Sequence, residues 1–454
     1  MTKRFDVKGG TMISVRRIGA GFGALALSAF AAAPAFAQAA AAAPTVNKGD
    51  TAWMLTSSLL VLMMIVPGLA LFYGGLARTK NMLSVMTQVG AVAALTMLVW
   101  VGWGYAEAFG DGGGPIIASF SKALLHGVSP TTTAATFTTG VALPEYVFVC
   151  FQMTFAAITV ALVLGSVVER MKFSAVMVFA VLWLTIVYFP IAHMVWASNG
   201  YFFAKGALDY AGGTVVHINS GVSALVACLI LGKRIGYPKE PMPPHSLTMT
   251  GIGTGLLWVG WFGFNAGSAL EANGAAGLAM INTFVATASA GLAWMLTERV
   301  TGHKGSALGF CSGIIAGLVA VTPAAGNSGP LGAIVLGAVA SVVCFFAVTK
   351  LKPKLGYDDA LDTFGIHGIG GMIGAMGTGI VYSAALGGPS PDGWSMGHQL
   401  WVQAQTVGTT IVWAAVGTTV SIYAAKLATG LRVSPEVERE GLDLGEHGER
   451  AYNM

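Results

Sequence analysis

The sequence predicts an all-α membrane protein of eleven transmembrane helices. Three observations carry that reading. Hydrophobic residues make up 55% of the 454-residue chain and charged residues only 10%, whereas a soluble domain carries about 25% charge. At a mean hydropathy of +0.70, most of the surface must face something other than water. Glycine is abundant, 62 residues, or about twice the usual ~7%, and much of it lies inside apolar runs, where it lets helix backbones approach closely. Finally, the chain holds eleven apolar runs of about the 20 residues that a bilayer core requires, at 52–76, 86–108, 145–168, 174–197, 213–232, 247–267, 276–297, 305–322, 330–349, 364–386 and 402–428. A net charge of +4 provides no basic field of the kind nucleic acid needs, so the expected surroundings are lipid, with no nucleic-acid partner.

Residues 1–37 read as a signal peptide. Arg16 and Arg17 are its basic segment, an apolar run follows from Ile18, and Ala35-Phe36-Ala37 fits a small-residue cleavage site. Residues 38–428 then form the transmembrane domain and 429–454 a cytoplasmic tail. Loop charge sets the orientation. The odd-numbered loops and the tail hold sixteen Lys and Arg residues, and the other side holds Lys48, Lys122 and Lys205. The tail is therefore expected in the cytoplasm of a bacterial inner-membrane protein and the mature N-terminus in the periplasm. Cys150, Cys228, Cys311 and Cys344 each sit in apolar surroundings with no CxxC or CxxH spacing, so neither disulfide nor metal site is expected.

Eleven spans divide as five, five and one. Five crossings are an odd number, so the second half enters inverted, an arrangement in which substrate sites lie at the interface of the repeats near the midplane. The fifth and tenth runs support the division: His217-Ile-Asn-Ser-Gly221 follows Asp209, and His367-Gly-Ile-Gly-Gly371 follows Asp362. A lone histidine in a span is most simply a satisfied interhelical bond. Two at matched places point to function, because ionisable groups in a membrane usually face a cavity or partner. A neutral imidazole offers one donor and one acceptor, so the pair could relay protons or line a pore for a small polar molecule. Haem ligation is the weaker alternative. Asp209 and Asp362 read as helix N-caps, Trp196 as an interfacial aromatic, and Phe155 and Phe264 as packing residues.

These residues also carry a resemblance. Asp209-Tyr-Ala-Gly-Gly-Thr-Val-Val-His217-Ile-Asn-Ser-Gly221 and Asp362-Thr-Phe-Gly-Ile-His367-Gly are similar to signatures of the Amt/MEP/Rh ammonium transporter family. So are Phe72-Tyr-Gly-Gly-Leu76, Phe151-Gln-Met-Thr-Phe155-Ala156 and Trp261-Phe-Gly-Phe264-Asn-Ala-Gly-Ser268. The resemblance spans residues 50–454 and is closest to the bacterial AmtB branch, although Tyr210 stands where phenylalanine is common. It implies a homotrimer with one pore per subunit, neither an enzyme nor a cofactor protein. It assigns substrate binding to Trp196, Phe155, Ser268 and Asp209, a gate to Phe155 and Phe264, and a pore pair to His217 and His367. The expected activity is recruitment and deprotonation of ammonium and conduction of ammonia into the cytoplasm. The tail, with Glu440-Gly-Leu-Asp443 and Glu446-His-Gly-Glu449, resembles a segment that couples to a PII-type, GlnK-like signalling protein. The alternatives are an ammonium sensor and a Rhesus-type gas channel. Against them stand the short stretch after the last run and Trp196, respectively.

Overall fold

In the computed structural model, which describes residues 44–452, eleven helices are long and apolar enough to cross a membrane. The expected signal peptide, 1–37, lies outside the described residues. The spans are α1 Lys48–Leu76, α2 Thr79–Phe109, α3 Glu145–Leu164, α4 Phe173–Trp196, α5 Gly213–Leu231, α6 Leu247–Gly267, α7 Gly274–Val300, α8 Ala307–Ala324, α9 Pro330–Leu355, α10 Phe364–Val381 and α11 Met396–Thr429. Each expected run overlaps one of them. Their starts are written in side chains that satisfy otherwise orphaned backbone N–H groups: Asn47 accepts from Gly49 at 2.7 Å, Asn273 from Ala275 at 2.9 Å and Ser306 from Gly309 at 2.8 Å. The same rule moves one boundary. Ser395 accepts from the His398 amide, and α11 begins at Met396, several residues before the expected 402. At the far end of α10, a turn around Ser383 and Gly387, whose φ is +80°, stops the helix at Val381 rather than 386.

The five-plus-five division has a packing reason. The glycines of the two His-x-x-x-Gly sequences are reciprocal. A Cβ on Gly221, four residues after His217, would lie 2.1 Å from the Gly368 amide, next to His367. A Cβ on Gly371, four residues after His367, would lie 3.0 Å from His217 Cβ and from the Ile218 amide. Each glycine makes room for the other helix's histidine-bearing turn, so α5 and α10 cross in backbone contact. Both turns are wide π-helical ones, Gly213–Ile218 and Phe364–Gly368, a form that recurs at functional sites. The partner helices α4 and α9 also carry such turns, at Leu184–Tyr188 and Ala347–Leu351.

The matched aspartates need correction. Asp209 precedes its histidine by eight residues, and so does Asp359, not Asp362. Asp359 is fully buried and accepts from the Phe364 amide at the start of α10 at 2.7 Å. Asp362 is partly exposed and paired with Lys352 at 2.6 Å. Burial raises the Asp359 carboxyl to about 6, with Lys352 opposing.

At the end of the bundle that carries the chain's tail, loop charges counted by their sign alone turn out to be engaged. Glu169 meets Arg78 at 2.8 Å and Arg234 at 2.9 Å, and Arg234 meets Asp358 at 2.8 Å. This buried chain ties together four inter-helix loops. Burial would raise the Glu169 carboxyl, but Arg234 and Arg78 outweigh it and hold it below the usual range. The tail is folded onto the same end as α12, Pro435–Glu440, and α13, Leu442–His447. Its acidic residues cap other elements. Asp443 accepts from the Ser84 amide at 2.7 Å near the start of α2, and Glu446 from the Phe173 amide at 2.8 Å at the start of α4. Glu438 accepts from the Ile235 amide at 2.7 Å and pairs with Arg432 at 2.7 Å. Carboxylates at helix N-termini are favoured by the helix dipole, which is why so polar a segment docks.

At the opposite end, the connection from α2 to α3 contains a hairpin that the sequence reading did not identify. Strands β1, Thr133–Ala135, and β2, Val141–Pro144, pair antiparallel with Ala135 opposite Ala142.

Candidate functional site

Three cavities follow one another through the bundle. The first opens at the end where α4 finishes and α5 begins. It has a volume of about 340 Å³, and its lining includes Trp196, Phe155, Ser268, Asp209 and Tyr210. The second, about 10 Å³, is enclosed by Phe264, Trp261, His217, His367, Leu162 and other apolar side chains. That is close to the space for one water-sized molecule. The third, about 440 Å³, reaches from His367 to the tail-bearing end past Lys352 and Asp362. Phe155 belongs to the first cavity, Phe264 and His217 to the second, and His367 to both second and third.

What separates the first from the second is a ring stack. Phe155 on α3 and Phe264 on α6 lie 4.1 Å apart at 16°, and both are buried. Trp196 stands edge-on to Phe155 at 5.7 Å. Its indole N–H donates to the Asp209 carbonyl at 2.9 Å, which fixes the ring at the end of α4, where it lines the first cavity. The Ser268 hydroxyl donates to the Phe264 carbonyl at 2.8 Å, so the oxygen remains an acceptor.

Asp209 is close to saturated. Its carboxylate accepts from the Gly212 amide at 2.9 Å, Gly213 at 2.5 Å, Thr214 at 2.9 Å and Val215 at 3.1 Å, and from the Thr214 hydroxyl. Burial raises its carboxyl above the ordinary value and these donors oppose that. The group shapes the entrance of α5, including Gly212 at φ +118°. It is not free to grip a ligand directly. This is a fuller version of the helix cap expected from sequence, because a single carboxylate collects every leading amide of the wide turn that presents His217.

His217 and His367 face each other with Nδ1 to Nδ1 at 3.2 Å. His217 Nε2 lies 3.3 Å from the Thr322 hydroxyl, and its ring stacks on Trp261 at 5.5 Å and 24°. The Thr322 oxygen accepts from the Trp261 indole at 2.9 Å, and its hydroxyl donates to the Leu318 carbonyl at 2.8 Å. With that hydrogen committed, His217 Nε2 is the donor to Thr322. Neutral His217 then accepts at Nδ1, His367 donates from Nδ1, and His367 Nε2 is left as an acceptor. Thr322 and Trp261 thus fix the tautomers of the pair. Sequence reasoning assigned neither a role: Trp261 was visible within a quoted motif, but nothing marks Thr322 at the end of an apolar run. A third histidine within a span, His193, is structural. Its Nδ1 and Nε2 lie 2.8 and 2.9 Å from the Ala108 and Gly114 carbonyls.

The fold and site define a polytopic membrane protein with three successive cavities, the first two separated by one aromatic stack and the last two both lined by His367. A profile of the Ammonium Transporter Family matches residues 52–452, and the chain belongs to that family. It is 46% identical over 435 residues to an ammonium transporter of Aquifex aeolicus, covering 96% of this chain and 99% of the relative. Among solved structures it resembles Mep2 of Candida albicans, with a TM-score of 0.78, 35% identity and coverage of 86% and 87%. It also resembles a sensor Amt protein, with a TM-score of 0.80, 27% identity and coverage of 88% and 98%. Transport of ammonium is the activity of the family.

Proposed function

We propose that this transporter captures ammonium at Trp196, removes a proton, and passes ammonia along a pore lined by His217 and His367. The observation that supports this most is the order of the groups: an aromatic mouth, a stacked phenylalanine pair, then two imidazoles in a cavity no larger than the substrate. An aromatic face returns about 0.5–2 kcal/mol to a cation that is losing water, and Ser268 accepts one N–H. Carrying the charge past Phe155 and Phe264 costs far more than that, whereas neutral ammonia passes at much lower cost. Potassium is of similar size but has no proton to lose. Beyond the stack, His367 Nε2 accepts one ammonia N–H. The apolar walls offer nothing better, so selectivity comes from what the pore withholds. Whether the released proton follows through the pair or leaves by the mouth decides whether transport carries current.

The replacement Trp196→Ala tests the mouth. Loss of the cation–π face should weaken apparent affinity by about threefold to tenfold, the range expected for a partly desolvated cation. Ser268→Ala should act in the same direction with a smaller effect. Labelled methylammonium uptake measures both, and wild-type kinetics in both variants would overturn the assignment.

We further infer that the tail-bearing end is cytoplasmic in a bacterial inner membrane. Sixteen basic residues lie on that side, as the charge rule requires. A C-terminal alkaline phosphatase fusion should then be inactive, and an active one would reverse the orientation. The homotrimer and the PII-type partner rest on the family resemblance. The docked α12 and α13 make the inner face a defined surface for such a regulator, one that native mass measurement with and without a PII-type protein would reveal. A sensing role is a second reading, favoured by the likeness to the sensor Amt protein. It shares the mouth and differs in needing no flux.

A further inference from the structure

The mouth has an outer feature that the recruitment residues do not explain. Phe137 is 69% exposed, an unfavourable position for a large apolar ring, yet it lines the same 340 Å³ cavity as Trp196. It sits at the tip of the β1–β2 hairpin, in a threonine-rich segment. Phe203, on the connection from α4 to α5, is 40% exposed and lines the cavity as well. Two rings from separate connections therefore border the entrance outside the Trp196–Phe155 pair.

The tip is held in place. Glu271, between α6 and α7, is 6% exposed and accepts from the Thr138 amide at 3.1 Å and the Thr138 hydroxyl at 2.9 Å. Asn273 donates to the same carboxylate at 3.1 Å. Burial would raise the Glu271 carboxyl, but the Thr136 hydroxyl, together with the Thr138 and Asn273 donors, outweighs it and holds it below the usual range, so the latch is a charged acceptor at neutral pH and its bonds are of the stronger, charge-assisted kind. Thr136, on the other side of Phe137, bonds back to the Val141 carbonyl at 3.1 Å. The residue between these two anchors has little freedom to swing its backbone away from the cavity.

We propose that Phe137, with Phe203 on the other connection, forms an outer aromatic lip that sets the size limit for cations entering the mouth, and that Glu271 positions it through Thr138. The lip admits ammonium and methylammonium and hinders ethylammonium and larger alkylammonium ions, before the ion reaches Trp196. The proposal rests on the reading of the Trp196 cavity as the substrate entrance.

The experiment is inhibition of labelled methylammonium uptake by ammonium, ethylammonium and diethylammonium, in proteoliposomes holding the full chain. Phe137→Ala should leave maximal uptake and inhibition by ammonium near the wild-type values, because the residue is exposed and lies outside the recruitment pair. It should strengthen inhibition by ethylammonium by about threefold or more, less than the tenfold or greater that one carbon is worth in an enclosed pocket, since a rim is open. Glu271→Gln should shift the same ratio in the same direction with maximal uptake retained, which a merely structural fault would not do. Trp196→Ala serves as the reference. If it changes capture while Phe137→Ala and Glu271→Gln leave the ratio unchanged, the lip is refuted and the mouth stands. If Trp196→Ala changes nothing, the entrance reading itself fails.

Discussion

Replacing His217 with Asp should turn a potassium-excluding pore into one that passes potassium. His217 is buried, stacked on Trp261 and in contact with His367. As a neutral ring it offers a cation nothing that repays dehydration. A carboxylate at the same place supplies a fixed charge within about 4 Å of a passing ion, worth about 4 kcal/mol at an effective dielectric of about 20, or roughly a thousandfold in occupancy. Uptake of methylammonium need not fall, because the ion itself could now cross. His217→Ala and His367→Ala should behave differently. They remove one member of the Nδ1–Nδ1 pair, orphan the other and lower conduction without opening a path for potassium. Potassium currents and labelled uptake in the same liposomes distinguish these outcomes. Unchanged transport and unchanged selectivity in all three variants would leave the pair a structural role.

The second large effect is expected at Asp209. Its carboxylate gathers four backbone amides and one hydroxyl around the turn that carries His217. Each buried donor left unmade costs about 1–3 kcal/mol, so Asp209→Ala should abolish uptake and lower stability by several kcal/mol. Asp209→Glu keeps the charge but displaces it, and Asp209→Asn keeps one acceptor oxygen. Both should fold better than the alanine variant and transport poorly. Wild-type uptake in Asp209→Ala would mean that the turn holds itself, and that the aspartate neither supports His217 nor makes the mouth electronegative.

The spans were legible because a bilayer imposes one length on every apolar run, and the His-x-x-x-Gly sequences because the two halves need the same close crossing at Gly221 and Gly371. The pairing of aspartates was misread at one end. Asp362 sits nearer its histidine in sequence and matches a familiar local pattern, whereas the carboxylate that reaches the helix start comes from Asp359, an extra turn of loop away. Thr322 was invisible for a different reason: its hydroxyl matters only because Trp261 and His217 arrive from two other helices. Arg78, Arg170 and Arg234 were counted toward the charge bias, but counting could not show that Arg234 and Arg78 share Glu169, or that Arg170 is buried among the Gly232, Val168 and Asp358 carbonyls. The hairpin tip escaped notice because one phenylalanine among threonines has no period to read.

The central claim is that charge is stripped from ammonium before the pore, so that an ion unable to lose a proton is refused. The most direct measurement is made on the unmodified protein in proteoliposomes, with membrane current and labelled methylammonium uptake recorded together under an ammonium gradient and then under a potassium gradient of equal size. The expected result is uptake with the ammonium gradient that persists in a large excess of potassium, and no protein-dependent current with potassium alone. A potassium current comparable to the ammonium response would contradict the claim, because the intact cation would then be crossing between Phe155 and Phe264.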